Sequence, residues 1–320
     1  MTYLVTGGSG YVGSRIVRRL VNANKEVISF DPSGVTLTAR EVIGEGNLQK
    51  VRFIEGDISE AVSLFNTIKE HDVRFIIHTA SLMARVSDSE PAKALRINNV
   101  GFSNVLEAAR FFNVKRVVWT SSTFSMGDVW RMTDEPMGEN PFYKPVSVYS
   151  ATKALNEFVA KHYFGKFGVD NIGLRFPMIF GITFGPNRWS GTVGAFGAFL
   201  DRAARNVAAK MKAARWNYYI YVEDAASAHV KACDGPTTKR RIFNVAVGRY
   251  SNQEVMEVIR RLNPEANVTI EDEINPRFQD PMLDLNGLED ELGWQPEYSL
   301  EAAIKEMFNY YRQEAGMPSL

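Results

Sequence analysis

The stretch "YLVTGGSGYVGSRIVRRLVNA", residues 3–23, constrains the fold more than any other part of the chain. A short apolar run enters a loop with Gly7, Gly10 and Gly13 spaced three apart, and a helical pattern follows at once. Glycines at that spacing allow a tight turn and let backbone N–H groups at a helix N-terminus approach a pyrophosphate, whose charge the helix dipole favours. The strand context on one side and the helix context on the other are what such a fingerprint requires. The next apolar run, "EVISFD", ends at Asp31, 18 residues beyond Gly13. A carboxylate there can accept both hydroxyls of a ribose and repels a 2′-phosphate, which points to NAD as cofactor. Asp31 also precedes Pro32, so a turn-initiating role is the competing explanation.

Short apolar runs at 3–7, 26–31, 51–57, 74–80 and 116–122 alternate with helical patterns that start near Gly10, Ala61, Glu90 and Val148. Strands alternating with helices predict an α/β fold, a Rossmann-type doubly wound parallel sheet. The run "DNIGLRFPMIFG", 170–181, adds a strand whose regular part ends at Pro177, because proline cannot donate to a sheet ladder. The stretch 181–199 reads as an irregular functional loop, followed by a helix from Asp201 to Ala214. A strand turning into a helix is expected over 217–234, with a further strand over 240–248. Near the C-terminus a helix should stop at Gly293, and a new one should begin with Ser299 as N-cap. Residues 1–176, completed by about 217–247, are expected to form the nucleotide-binding domain, with 177–216 and 248–320 as a smaller substrate-binding region.

Charge and cysteine usage narrow the partners. Lys plus Arg equals Asp plus Glu at 37 each, with no run of like charge, so the footprint of a nucleic-acid or membrane-surface binder is missing and small molecules are expected instead. Cys233 is the only cysteine, which excludes an internal disulfide framework and fits a cytoplasmic protein. The chain enters a strand almost at its first residue, so no signal peptide is expected, and no apolar run approaches the ~20 residues of a membrane helix. His71, His162 and His229 are scattered without ligand spacing, so no metal site is expected, and His78 reads as a packed residue.

The segment "SVYSATKALNEF", 147–158, places Tyr149 and Lys153 one turn apart on a helix. A phenol with a pKa of ~10 is a poor base unless a positive charge stabilises its phenolate, and Lys153 is placed to supply one. With "TGGSGYVG", "HTAS" at 78–81, "INNVGFSNVLEAA", "TSSTFSMG", "VEDAASAH" and "LGWQPEYSLEAAI" in order, the chain resembles the extended short-chain dehydrogenase/reductase family over nearly its whole length. That resemblance implies an NAD-dependent dehydrogenase or epimerase with Ser122, Tyr149 and Lys153 as catalytic residues. It implies cofactor contacts from Gly7, Gly10, Tyr11, Val12, Gly13, Asp31, Asp57, Ile58, Thr79, Ala80 and Asn98, with Asn99 as the rival register for the structural asparagine. Tyr149 and Lys153 would also touch the cofactor, Lys153 through the nicotinamide ribose. Substrate contacts would come from Ser81, Met83, Thr123 and Arg188. Arg175 is expected to serve structure near the cofactor edge, and Asp224 to cap a helix.

Departures from the family pattern shape the expected activity. Family dehydratases follow the catalytic Ser/Thr with an Asp-Glu pair, whereas Thr123 and Phe124 stand here, so dehydration is disfavoured. The diphosphate anchors of nucleotide-sugar epimerases correspond to Met178 and the "WNYY" run at 216–219, and the segment between Gly181 and Trp216 is short. These features favour a dehydrogenase acting on a small sugar, sugar acid, polyol or hydroxy acid, with a sugar epimerase as the runner-up and a non-catalytic dinucleotide sensor behind both. Phe111, Phe112 and Phe158 add apolar positions to two helices that pair across the subunit contact in the resembling family, so a homodimer is expected.

Overall fold

The computed structural model describes residues 1–127, 137–138, 143–185, 188–189, 191–211, 217–271 and 282–320. Among these residues the strands are, in chain order, β1 (Thr2–Thr6), β2 (Glu26–Phe30), β3 (Val51–Ile54), β4 (Val73–His78), β5 (Arg116–Ser122), β6 (Asn171–Phe176), β7 (Met178–Phe180), β8 (Ala209–Met211), β9 (Asn217–Tyr221), β10 (Ile242–Asn244), β11 (Gly248–Tyr250) and β12 (Val268–Ile270). The chain divides into two compact units. The first holds Met1–Phe176, Ala225–Val245 and Leu283–Gln295, and the second holds Pro177–Asp224, Ala246–Met282 and Pro296–Leu320.

In the first unit, seven parallel strands run in the order β10-β6-β5-β4-β1-β2-β3. The order reverses at β1, so a crevice opens at the C-terminal ends of β1 and β4, where such sheets bind ligands. β1 and β6 are buried along their whole length, as expected of parallel strands covered on both faces. Leu4, Ile76, Val117 and Trp119 pack with Phe102, Val105 and Leu106 from the helix Phe102–Phe111. Trp119 also dictates its neighbour on β6, because a Cβ on Gly173 would stand 2.6 Å from the indole ring.

The long helix Val148–Phe167 lies against β5 and β6 and carries Tyr149 and Lys153. Its start is fixed by a reciprocal capping box between Ser147 and Ser150 and by the Asp88 carboxylate accepting from the Val148 N–H at 2.9 Å. Gly168, at φ +68°, ends it. Midway along, Glu157 is fully buried and takes a bidentate pair from Arg175 on β6, Nε at 2.8 Å and Nη2 at 2.6 Å. Ser121, the β5 neighbour of Arg175 in register, donates to the same carboxylate at 2.6 Å, and Ser125 and Tyr143 donate at 2.9 and 2.7 Å. Burial works to raise the Glu157 carboxyl, but the Arg175 guanidinium and the hydroxyls outweigh it and hold it below its usual range. Arg175 therefore has the structural role read from its sequence position.

In the second unit, β11, β9 and β7 form one small sheet and β12 pairs with β8. The chain leaves β6 at Pro177, where the regular strand was expected to end. A helix runs over Gly191–Ala204, about ten residues earlier than the 201–214 expected, and residues 212–216 lie outside the described set. Its glycines disguised it, since glycine is a poor helix former. Here they admit a neighbour: a Cβ on Gly194 would stand 2.2 Å from the Trp189 carbonyl carbon, and one on Gly197 3.2 Å from the Trp189 ring. The Asp224 carboxylate, in the first turn of the helix Val222–Asp234, accepts from the Glu297 and Tyr298 N–H groups at 2.7 and 3.3 Å. Gly293 stops one helix at φ +62° and Ser299 caps the next through the Ala302 N–H, as their sequence context predicts. Among the described residues no helix is long and apolar enough to cross a membrane.

The buried pair yields a stability prediction. Glu157→Ala leaves the Arg175 charge in the interior without its carboxylate, and should cost about 3–5 kcal/mol in urea unfolding. A loss below about 1 kcal/mol would show that the pair does not hold the helix to the sheet.

Candidate active site

The Gly-rich loop follows β1 directly. Gly7 sits at φ +69°, and a Cβ there would lie 2.8 Å from the Ala80 backbone N, so Thr79 and Ala80 after β4 press against the loop. The Thr79 hydroxyl donates to the Thr6 carbonyl at 2.9 Å and holds the two strand ends together. A Cβ on Gly13 would come within 2.0 Å of the Gly7 carbonyl oxygen, so the turn is closed on its protein side. Gly10 accepts the Ser14 N–H through its carbonyl, and Val12 is the N-cap of the helix Gly13–Asn22 without any side-chain cap. An uncapped helix N-terminus behind a glycine turn is what a pyrophosphate requires. The Tyr11 carbonyl accepts from the Arg15 guanidinium, which stacks 4.9 Å from the Tyr11 ring centroid.

Asp31 at the end of β2 is buried, and one carboxylate oxygen accepts from the Ser33 N–H at 2.9 Å. The turn-forming bond and a position beside the Gly loop thus coexist: Thr36, in the same connection, donates to the Ser9 carbonyl at 2.6 Å. Asp57 accepts from the Ser59 N–H and hydroxyl, both at 2.8 Å, and Ile58 is buried beneath Gly101. The loop, the uncapped helix end and two carboxylates beyond adjacent strand ends fit a dinucleotide in shape and in donor chemistry.

Ser122, Tyr149 and Lys153 are all buried and lie together at the end of β5. The Tyr149 hydroxyl hydrogen-bonds to Ser122, whose Oγ also accepts from the Phe124 N–H at 3.2 Å. Lys153 Nζ donates to the Thr120 carbonyl at 2.9 Å and stands 5.5 Å from the Tyr149 ring centroid. Burial pushes the phenol up to about 12, opposed by the Ser122 bond, so Tyr149 holds its proton at neutral pH rather than being lowered by Lys153. Burial also lowers the Lys153 ammonium to about 8, with the Glu157 carboxylate opposing. His78 is a packed residue, bonded to Thr6 at 2.7 Å and stacked on Phe102, and burial followed by the Lys153 charge lowers it to about 3.

Both asparagines of the disputed register are buried, because Leu95–Gly101 is a π-helical turn that widens the helix by one residue. Asn98 accepts from the Leu82 N–H at 2.7 Å and from the Ser81 hydroxyl, and donates to Thr152 at 3.3 Å. Asn99 donates to the Thr152 carbonyl at 2.9 Å and to Asn156 at 2.7 Å. Asn98 thus ties the loop after β4 to the helix bearing Tyr149, and Asn99 braces that helix. Thr123 is buried, Met83 is 59% exposed, and Arg188 is engaged by Glu314 at 2.9 Å while stacking on Trp189. Sequence reasoning missed Glu157 and the Thr120 carbonyl. Glu157 had a signal, since Tyr149, Lys153 and Glu157 recur every four residues on one helix face.

The chain matches the model of the NAD dependent epimerase/dehydratase family over residues 3–246. It belongs to that family and is an enzyme of the NAD-dependent epimerase and dehydrogenase type. A provisionally named UDP-glucose 4-epimerase of Methanocaldococcus jannaschii is 29% identical, covering 97% of this chain and 98% of the relative. The structure of L-threonine dehydrogenase from Clostridium difficile superposes with a TM-score of 0.83 at 26% identity, covering 98% of both chains. UDP-glucose 4-epimerase from Thermotoga maritima, solved with UDP-glucose, shares the fold at a TM-score of 0.81 and 22% identity, over 98% of this chain and all of that one.

The electrostatics predict that Lys153 in the cofactor-free protein titrates with a midpoint of about 8, observable by NMR of isotope-labelled lysine side chains. Glu157→Gln removes a negative neighbour and should move that midpoint lower still. A midpoint at the ordinary lysine value, or an upward shift in the variant, would contradict the geometry.

Proposed function

We propose that the protein is an NAD-dependent dehydrogenase that oxidises a hydroxyl of a small sugar, sugar acid, polyol or hydroxy acid, with Ser122, Tyr149 and Lys153 as catalytic residues. The observation that carries this reading is the buried Tyr149–Ser122 hydroxyl pair with Lys153 one turn behind. Bound NAD supplies the hydride acceptor. Ser122 Oγ holds the substrate oxygen, Tyr149 Oη takes the hydroxyl proton once its own proton has been lost, and Lys153 offers its charge and a hydrogen bond to a ribose. In the reverse direction the neutral phenol is already the acid that a carbonyl reduction needs. Gly7, Gly10, Tyr11, Val12 and Gly13 are assigned to the pyrophosphate, Asp31 to the adenosine ribose, Asp57 and Ile58 to the adenine side, and Thr79, Ala80 and Asn98 to the wall of the cofactor site.

Thr123 and Phe124 put no carboxylate after Ser122, which speaks against elimination of water. Met178 stands where epimerases keep an asparagine. Of the "WNYY" run, Trp216 lies outside the described residues. Both substitutions remove handles for a diphosphate, and a remote handle is what keeps a keto intermediate bound in an epimerase. A threonine dehydrogenase among the structural relatives supports a small substrate. The name carried by the archaeal relative favours the second reading, a nucleotide-sugar epimerase that uses the same residues. Residues 177–216 and 248–320 are assigned to substrate recognition, and the lone buried Cys233 suits a cytoplasmic enzyme.

A homodimer is part of the proposal. Phe111 and Phe158, on the helices Phe102–Phe111 and Val148–Phe167, are 64% and 69% exposed, and Leu155 and Phe164 extend the apolar surface of the second helix. Light scattering at micromolar concentration should give twice the single-chain 35.9 kDa, and a mass near 35.9 kDa would contradict the dimer.

The catalytic reading predicts stoichiometric NADH accumulation with at least one small hydroxylated substrate. Tyr149→Phe should lower that turnover by about 10²–10⁴-fold with NAD affinity nearly unchanged. Wild-type activity in the variant, or tightly retained NAD with interconversion of a UDP-sugar and its epimer, would overturn it.

A further inference from the structure

Three large apolar side chains stand exposed around the first turn of the helix that carries Tyr149. Phe124 is 58% exposed, with its ring centroid 6.4 Å from that of Tyr149 in an edge-on arrangement at 69°. Its backbone N–H is bonded to Ser122 Oγ, so its place relative to the reacting pair is set by that hydroxyl. Met83 is 59% exposed and follows Leu82, which Asn98 ties to Thr152, and Thr152 in turn donates to the Tyr149 carbonyl at 2.8 Å. Met83 also begins the short helix Ala84–Ser89, whose Asp88 caps Val148. Val146 is 59% exposed, and its N–H is bonded to Ser150 in the same first turn.

Two further polar side chains stand nearby among the described residues. Thr123 is buried, and the Ser81 hydroxyl is bonded to Asn98 and lies near the Leu82 carbonyl. Among the described residues, what this side exposes beyond Ser122 and Tyr149 is mainly the carbon of Phe124, Met83 and Val146. Clustered exposed apolar side chains beside a convergent polar pair mark a ligand surface. A polyol placed against them would bury hydroxyls without partners, at a cost for each. A hydrocarbon group would instead remove apolar surface from water.

Building on the dehydrogenase reading, we propose that the preferred substrate bears a branched-alkyl or aryl group next to its carbinol carbon, and that Phe124 and Met83 determine this specificity. The substrate class is then a hydrocarbon-bearing secondary alcohol or hydroxy acid rather than a sugar or polyol. Oxidation yields the corresponding ketone or keto acid: the hydroxyl proton goes to Tyr149 and the carbinol hydride to NAD.

The test compares phenyllactate, lactate and xylitol as reductants of NAD in the wild type and in Phe124→Ser and Met83→Ser. Calorimetry of phenylpropionate against propionate, which have no hydroxyl to oxidise, runs alongside in the presence of NAD. In the wild type kcat/KM should be at least about tenfold higher for phenyllactate than for lactate or xylitol, in line with the discrimination a hydrocarbon pocket gives. Phenylpropionate should bind more tightly than propionate, and Phe124→Ser should erase about tenfold of both preferences. Equal or higher kcat/KM for xylitol, or preferences that survive in both variants, would overturn the inference. Tighter phenylpropionate binding that disappears in Phe124→Ser, with no alcohol oxidised, would uphold the apolar surface and defeat the dehydrogenase reading instead.

Discussion

A single carboxylate, Glu157, organises the site. It lies in the interior, where an unpaired ion would cost several kcal/mol, and it collects the Arg175 fork and three hydroxyl donors. Those donors come from β5, from the turn after it, from the loop ahead of the helix and from β6. One side chain therefore sets both the height and the rotation of the helix Val148–Phe167 against the sheet. Lys153 and Tyr149 lie one and two turns earlier on the same face, so their meeting with Thr120 and Ser122 follows from the Glu157 bonds. Asn98 and Asn99 brace the same helix from its other side. The groups proposed to react are held by tertiary contacts on rigid elements, which is what preorganised acid–base chemistry needs.

The same burial sets the protonation of the site. Tyr149 and Lys153 are both moved by desolvation toward their neutral forms, the phenol up and the ammonium down. Glu157 works against that for the lysine and Ser122 for the tyrosine. The protein alone thus rests with a neutral phenol, poised as an acid. In the proposed alcohol oxidation its use as a base requires that the proton be lost, so oxidation should gain over reduction as pH rises.

Much of this was legible in the sequence where local pattern and function coincide. Strand–glycine–helix order, the alternation of apolar runs, and the Tyr149–Lys153 spacing are short-range features that survive without tertiary information. The helix over Gly191–Ala204 was hidden because its glycines, chosen for close packing on Trp189, mimic loop composition. The π turn at Leu95–Gly101 was invisible because one extra residue leaves no periodicity to read. Asp224 has the residue type of a cap, and nothing local announced its bonds to the Glu297 and Tyr298 N–H groups more than seventy residues away. Pairings such as Arg175 with Glu157, and Arg188 with Glu314, join elements that only the fold brings together.

In the proposed reading the Gly-rich loop, Asp31 and Asp57 hold and orient the dinucleotide, and the residues beside the Tyr149–Ser122 pair set what it acts on. Phe124 and Met83 present exposed carbon beside the Tyr149–Ser122 pair, and the proposed dehydrogenase and the runner-up epimerase differ in whether the oxidation ends in free product or is reversed in place. The most direct measurement is the fate of deuterium placed on the reacting carbon of an accepted alcohol. Net oxidation predicts that the label leaves the substrate and is recovered in reduced nicotinamide released to solution, in proportion to ketone formed. Label recovered on the carbon of an epimerised substrate, with none in the released cofactor, would contradict it.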